Sequence, residues 1–367
     1  MVQVKTENPL KQVLKFGQSL WYDGLIAPKD FECLIREDGI RGATTNPTIF
    51  EKALSSHEYD AHIRKALALG GTAEGIYRDL AVRAVQEVAD VFLPVYRQTG
   101  GGDGYVSIEV SPLLAYQTEA TLCEARQLHR LVGRQNIMIK VPATREGVPA
   151  VRRLIAEGIN VNVTLIFSVE RYREVMDAYL GGLQERAKAG GQVRNVASVA
   201  SFFVSRVDTA VDGLLQKKIE NGTGPSLKKW LGKAAIANSK LAYKEFESVF
   251  SKERFKVLEA KGARRQRPLW ASTGTKNPEY GDVFYVEALI GPESVDTMPA
   301  ATMDAYRDHG HPASRIREGA DEAVKVFKML AQEGVLMADV TRQLEEAGVK
   351  SFSDSYQKIL KDVEAKR

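Results

Sequence analysis

The sequence predicts a (β/α)₈ TIM barrel with additional helices, notably at the C-terminus. Short β-branched runs alternate with long helical patterns down the chain, and eight such runs can be marked. Strands separated by helices pair in parallel through crossover connections. A count of eight points to a closed barrel, with a doubly wound sheet as the alternative. Finally, several strands carry one face that ends in polar groups near the strand's C-terminal end. A sheet covered by helices on both sides would be apolar on both faces.

The expected strands, in order, are QSLWYD (18–23), RGATTN (41–46), GYVSIEV (104–110), NIMIKV (136–141), VNVTLIF (161–167), NVASVAS (195–201), PLWAST (268–273) and SVDTMP (294–299). Between them, 77–98 and 168–189 read as long helices. In the first, apolar residues recur at three- and four-residue spacing, as a helix with one buried face requires. The glycine-rich YRQTGGGDG (96–104) precedes a strand instead of opening a helix, so it reads as a loop and not a phosphate cradle. We expect one domain over 1–367, with the amphipathic tail 316–367 packed as helices on the outside of the barrel.

Composition narrows the function. Of 367 residues 44% are hydrophobic, enough for a large core. Lys and Arg number 51 against 47 Asp and Glu, a net +4 that gives nucleic-acid binding no support. The densest basic run, KGARRQRP (261–268), has no interleaved aromatic residue and reads as a solvated connection. Two cysteines, Cys33 and Cys123, without metal-like neighbours point to a reducing compartment. The N-terminus lacks a signal-peptide core and no apolar run reaches membrane-spanning length. A cytoplasmic protein without a membrane or nucleic-acid partner is expected, either monomer or homodimer.

Side chains alternate across a strand, so residues two apart share a face. Ser19, Trp21 and Asp23 therefore share one; so do Thr44 and Asn46, Ser107 and Glu109, Met138 and Lys140, and Asn162 and Thr164. Val161, Val163 and Leu165 take the opposite face of their strand. In a barrel the polar faces converge in the lumen at the C-terminal mouth, where such folds keep their chemistry. Lys140, inside Ile-Met-Ile-Lys-Val-Pro, is the unexpected member. An unpaired buried ammonium is costly, burial favours a neutral amine, and a neutral amine attacks carbonyls. The bland alternative is a strand-end lysine that snorkels to water or pairs with a carboxylate.

One amine with two carboxylates, Glu109 and Asp23, suggests Schiff-base chemistry with no cofactor or metal. The iminium is the electron sink, and carbon–carbon cleavage beside it needs a base for a hydroxyl proton and an acid for water loss. No nucleophilic serine elbow, Walker motif or dinucleotide fingerprint occurs. His57 and His62 in HEYDAH lie five apart, outside the helical spacing of a zinc pair.

Six segments then match a known family in its own order: ATTNPTIF (43–50), SIEVSPLLAYQT (107–118), IMIKVPATREG (137–147), GINVNVTLIFS (158–168), VASFFVSRVD (199–208) and WASTGTKNP (270–278). Along essentially the whole barrel the chain resembles the transaldolases, in their longer bacterial branch. The resemblance implies that Lys140 is the Schiff-base lysine, that Asp23 takes the hydroxyl proton, and that Glu109 works through a water held by Thr164. It implies sugar contacts from Thr44, Asn46, Asn162 and Ser201, and phosphate contacts from Arg206 and Ser272. The chain departs from the commoner pattern at Gly274, where many members have a second arginine, and Lys276 is expected to supply that charge. It departs again at Phe202, where shorter forms often carry proline. The implied reaction moves a dihydroxyacetone group from sedoheptulose 7-phosphate to glyceraldehyde 3-phosphate, giving erythrose 4-phosphate and fructose 6-phosphate. This is a step of the non-oxidative pentose phosphate pathway.

Three rivals remain at this level. A fructose 6-phosphate aldolase-like lyase would share the lysine but release free dihydroxyacetone, and such lyases usually carry an amide where this chain has Glu109. A metal-dependent barrel isomerase or aldolase would need a ligand cluster, which the sequence does not display. A non-catalytic sugar-phosphate sensor is allowed because fold does not fix function.

Overall fold

The computed structural model describes residues 7–54, 60–222 and 224–367. His57 of the histidine pair lies outside the described residues, and His62 is exposed. Eight strands close a barrel in chain order, each parallel to its neighbours. They are β1 (Gln18–Asp23), β2 (Gly42–Thr44), β3 (Tyr105–Glu109), β4 (Ile137–Pro142), β5 (Val161–Ile166), β6 (Ser198–Phe203), β7 (Arg267–Ala271) and β8 (Ser294–Met298). The two long helices expected on the outer wall run Ala73–Gln98 and Val169–Lys188.

Two expected boundaries move for local reasons. β6 begins three residues later than its β-branched composition suggests, because Ala197 donates its N–H to Asn160 Oδ1 at 2.9 Å. It then runs on through two buried phenylalanines, Phe202 and Phe203, which pair with Trp270 and Ala271. β7 stops early because Ser272 turns into the left-handed region at φ 57°.

The lumen is filled, not hollow. Trp21 is fully buried inside it, and Gly42 of β2 makes room: a Cβ there would sit 2.7 Å from the indole. At the N-terminal end Asp103 accepts from Ser19 Oγ at 2.7 Å, Trp21 Nε1 at 3.2 Å and Arg267 Nη2 at 2.9 Å. The basic run 261–268 is therefore not wholly a solvated connection. Gln266 is buried, and Arg267 enters the barrel because strand alternation turns it inward towards a buried counter-charge.

β5 departs from simple alternation. Its register against β6 shifts between Val163 and Ile166, and Leu165 lies at φ 58°. This bulge breaks the face expected to unite Val161, Val163 and Leu165, and it re-aims Leu165 towards the C-terminal helix.

The tail forms helices Ala320–Gln332 and Met337–Glu364. The first packs on the outer helix Ala234–Phe250. The second corrects the expectation that the whole tail lies outside, because it crosses the C-terminal mouth. Along its length Glu345 approaches Arg171, Gly348 packs at Leu165, and Ser355 bonds Thr48 across 3.1 Å. Its buried face (Gly348, Val349, Phe352, Tyr356) needs cover, and the mouth provides it.

Candidate active site

Adjacent strands bring the polar groups into register: Asp23 pairs with Thr44, Glu109 with Lys140, Lys140 with Asn162, and Pro142 with Thr164. Lys140 is 4% exposed, so it does not snorkel to bulk water. Its Nζ donates to the Thr45 carbonyl at 3.0 Å and lies 3.4 Å from Glu109 Oε2, close enough to pair but without hydrogen-bond alignment. The Glu109 side chain is 3% exposed. Burial pushes its carboxyl up to about 7, against the opposing pull of the Lys140 charge. A carboxyl so placed can give or take a proton near neutral pH.

Asp23 closes the other side of the same mouth. Its Oδ1 accepts from Thr44 Oγ1 at 2.8 Å, and Thr44 also meets Thr297 Oγ1 at 2.7 Å. The surrounding walls raise its proton affinity above the ordinary carboxylate value. Lys140, the Thr44 hydrogen bond, Lys276 and Arg206 all pull the other way.

Thr164 is fully buried, and among the described residues its hydroxyl has no hydrogen-bonding partner, nor has either Glu109 oxygen. Buried polar atoms of this kind are normally satisfied. A mouth that gathers three of them on two strands has the character of a polar ligand site.

The remaining expected residues divide by what they touch. Asn162 spends its amide within the protein: it donates to Ser107 Oγ at 3.0 Å and accepts from Ser201 Oγ at 2.7 Å. These three buried residues form a chain across β3, β5 and β6. Asn46 Oδ1 accepts the Ile49 N–H at 3.0 Å, at the start of helix Pro47–Leu54. Arg206 is half-buried over the Phe203 ring, 5.3 Å from the ring centre, and burial lowers its proton affinity. Ser272 Oγ meets Ser205 Oγ at 3.0 Å. Lys276 is exposed on the loop after β7, and its charge is felt at Asp23. Tyr280 holds that loop by donating to Asp212 Oδ2 at 2.7 Å. A side chain at Gly274 would press on Thr302, whose Oγ1 lies 3.0 Å from an added Cβ, so an arginine there would require the neighbour to give.

Sequence reasoning did not find Thr45, Thr297, Phe203, Ser205 or Phe352. Thr297 offered a signal, since it shares the alternating inward face of SVDTMP with Val295. Among the described residues no group of His, Cys, Asp and Glu is assembled to hold a metal ion. Nor is any described helix long and apolar enough to cross a membrane.

Residues 20–363 match the family model described as Transaldolase/Fructose-6-phosphate aldolase. The chain is 46% identical over 364 residues to a protein named Transaldolase from Saccharopolyspora erythraea, covering 98% of this chain and 97% of that one. It is 43% identical over 370 residues to a Transaldolase of Trichodesmium erythraeum, with the same two coverages. A Transaldolase of Mycobacterium bovis is 43% identical over 367 residues, again covering 98% and 97%.

Proposed function

The chain belongs to the transaldolase/fructose-6-phosphate aldolase family and is an enzyme, a transferase; from that premise we propose how its mouth moves a dihydroxyacetone group between sugar phosphates. Lys140 attacks the ketose carbonyl, and Glu109 passes protons through a water held by Thr164 as the carbinolamine forms and loses water. Asp23 then takes the hydroxyl proton, the carbon–carbon bond breaks, and the iminium receives the electron pair as an enamine. The aldose leaves. An acceptor aldehyde takes the enamine carbon, and the steps reverse to release the new ketose.

Arg206 is the main phosphate contact in this reading, with Ser272 and Lys276 beside it. A forked guanidinium suits a phosphate, and its half-buried seat on Phe203 supports a fixed orientation. Thr44, Asn46 and Ser201 face the sugar hydroxyls. Asn162, whose amide is already engaged, orders Ser107 and Ser201 more than it meets the sugar. The donor is sedoheptulose 7-phosphate and the acceptor glyceraldehyde 3-phosphate. A cytoplasmic setting, supported by two unpaired cysteines, completes the reading.

One observation carries the proposal: a buried primary amine 3.4 Å from a buried carboxyl whose proton affinity burial raises. The lyase reading is second, and relatives named for transfer, together with Glu109 where those lyases usually carry an amide, favour the transferase. The test is Lys140→Met in a coupled assay with sedoheptulose 7-phosphate and glyceraldehyde 3-phosphate. We expect turnover to fall by at least ~10³-fold with an unchanged thermal transition, since the lost group is the nucleophile and methionine suits its surroundings. Near-normal turnover removes Lys140 from the mechanism.

A further inference from the structure

The C-terminal helix places one side chain directly over the reacting amine. The Phe352 ring is 3% exposed, and its centre lies 5.8 Å from Lys140 Nζ. Contacts on both sides hold it there. One turn earlier, Gly348 lets the helix approach the β5 bulge, since a Cβ would stand 2.9 Å from Leu165 Cδ2. One turn later, the Tyr356 ring meets Tyr77 edge-on at 5.4 Å. Lys358 pairs with Glu51 at 2.6 Å, and Ser355 with Thr48 at 3.1 Å. The helix is thus tied to helix Pro47–Leu54, which begins immediately after the segment carrying Thr45 and Asn46.

This position bears on a choice the enamine must make. It can attack an acceptor aldehyde, which is transfer. Alternatively, a proton adds to its nucleophilic carbon and water adds to the resulting iminium carbon. The carbon–nitrogen bond then breaks, leaving dihydroxyacetone and the free amine, with no change of oxidation state. That second route needs water at the amine. An apolar ring above Nζ removes one approach for water and offers it no hydrogen bond. The polar groups within reach of the amine are a Glu109 oxygen at 3.4 Å and the Thr45 carbonyl at 3.0 Å.

We propose that Phe352 is a specificity-determining residue: its ring shields the lysine-bound enamine and biases it towards transfer over hydrolytic release. The proposal rests on the Schiff-base reading of Lys140. Its test uses the full chain with fructose 6-phosphate as donor, measuring free dihydroxyacetone released against transfer to erythrose 4-phosphate. Phe352→Ala should raise the release-to-transfer ratio by about tenfold or more, and the polar Phe352→Gln should raise it too. Phe352→Leu, which keeps an apolar cover, should stay within about twofold of the parent. The Gln and Leu pair decides the matter if the alanine variant does not fold. Borohydride trapping of fructose 6-phosphate on Lys140 is run on every variant. Trapping intact with an unmoved ratio, or release and transfer falling together, overturns the role of Phe352 alone. Trapping absent from the parent overturns the Schiff-base reading, and this proposal with it.

Discussion

Glu109 and Asp23 face one amine from different strands, and what each touches sets its proton affinity. Asp23 is held down by the Thr44 hydrogen bond and three cationic groups, which partly offset its burial. Glu109 has Lys140 alone to oppose burial, and it rises to about 7. In this account Glu109 alternates between acid and base during imine formation, so single-turnover imine formation should change slope near pH 7. Glu109→Gln should slow that step by roughly 10²-fold and erase the inflection, because an amide does not titrate there. An inflection that survives the substitution assigns it to another group. Lys140, Glu109, Asp23 and Thr164 were legible in the sequence because strand alternation places them without knowing the closed structure. Their partners were not: Thr44 meets Thr297 across 253 positions, a contact that exists only once β8 closes on β1. Asn162 was legible as inward-facing, yet nothing local revealed that Ser107 and Ser201 occupy its amide.

At the scale of elements, all eight strands were readable from β-branched runs, and the errors in β5 and β7 fall where the backbone leaves regular geometry. Leu165 and Ser272 both lie at positive φ at the C-terminal ends of their strands. Neither residue type advertises that conformation, and such outliers gather at functional mouths. The path of the C-terminal helix was also hidden. Its amphipathic pattern says that one face must be covered, but not whether an outer wall or the C-terminal mouth covers it. Gly42 shows the opposite case, in which a small residue is required by what it faces. An added Cβ would meet the Trp21 ring at 2.7 Å and the Tyr105 carbonyl oxygen at 2.8 Å, both held fast. Gly42→Ala should therefore destabilise the fold by about 1–3 kcal/mol, the usual range for overpacking. Denaturant titration measures this, and an unchanged midpoint would mean that the lumen has slack the packing does not show.

Across the whole molecule, buried acids link stability to pH. Glu109, Asp208 and Asp296 each sit at about 7, and burial is the leading cause in all three. Between the ordinary carboxylate range and pH 7 the folded chain holds protons that the unfolded chain has released. Stability contributed by these groups is complete at low pH and declines as pH rises through that window. Asp296 isolates the effect because it is no part of the proposed site: it is buried and accepts from Thr273 Oγ1 at 2.9 Å. Asp296→Asn keeps an acceptor there without titrating. Its unfolding free energy should fall less than the parent's between about pH 5 and pH 8. Parallel profiles would mean that Asp296 keeps its charge without cost.

The proposed chemistry turns on a single atom, Lys140 Nζ, buried beside Glu109. Borohydride reduction in the presence of fructose 6-phosphate, followed by peptide mass mapping, reports on that atom directly. One adduct of dihydroxyacetone size is expected, on the peptide containing Lys140. No adduct, or an adduct on a different lysine, would contradict the Schiff-base reading.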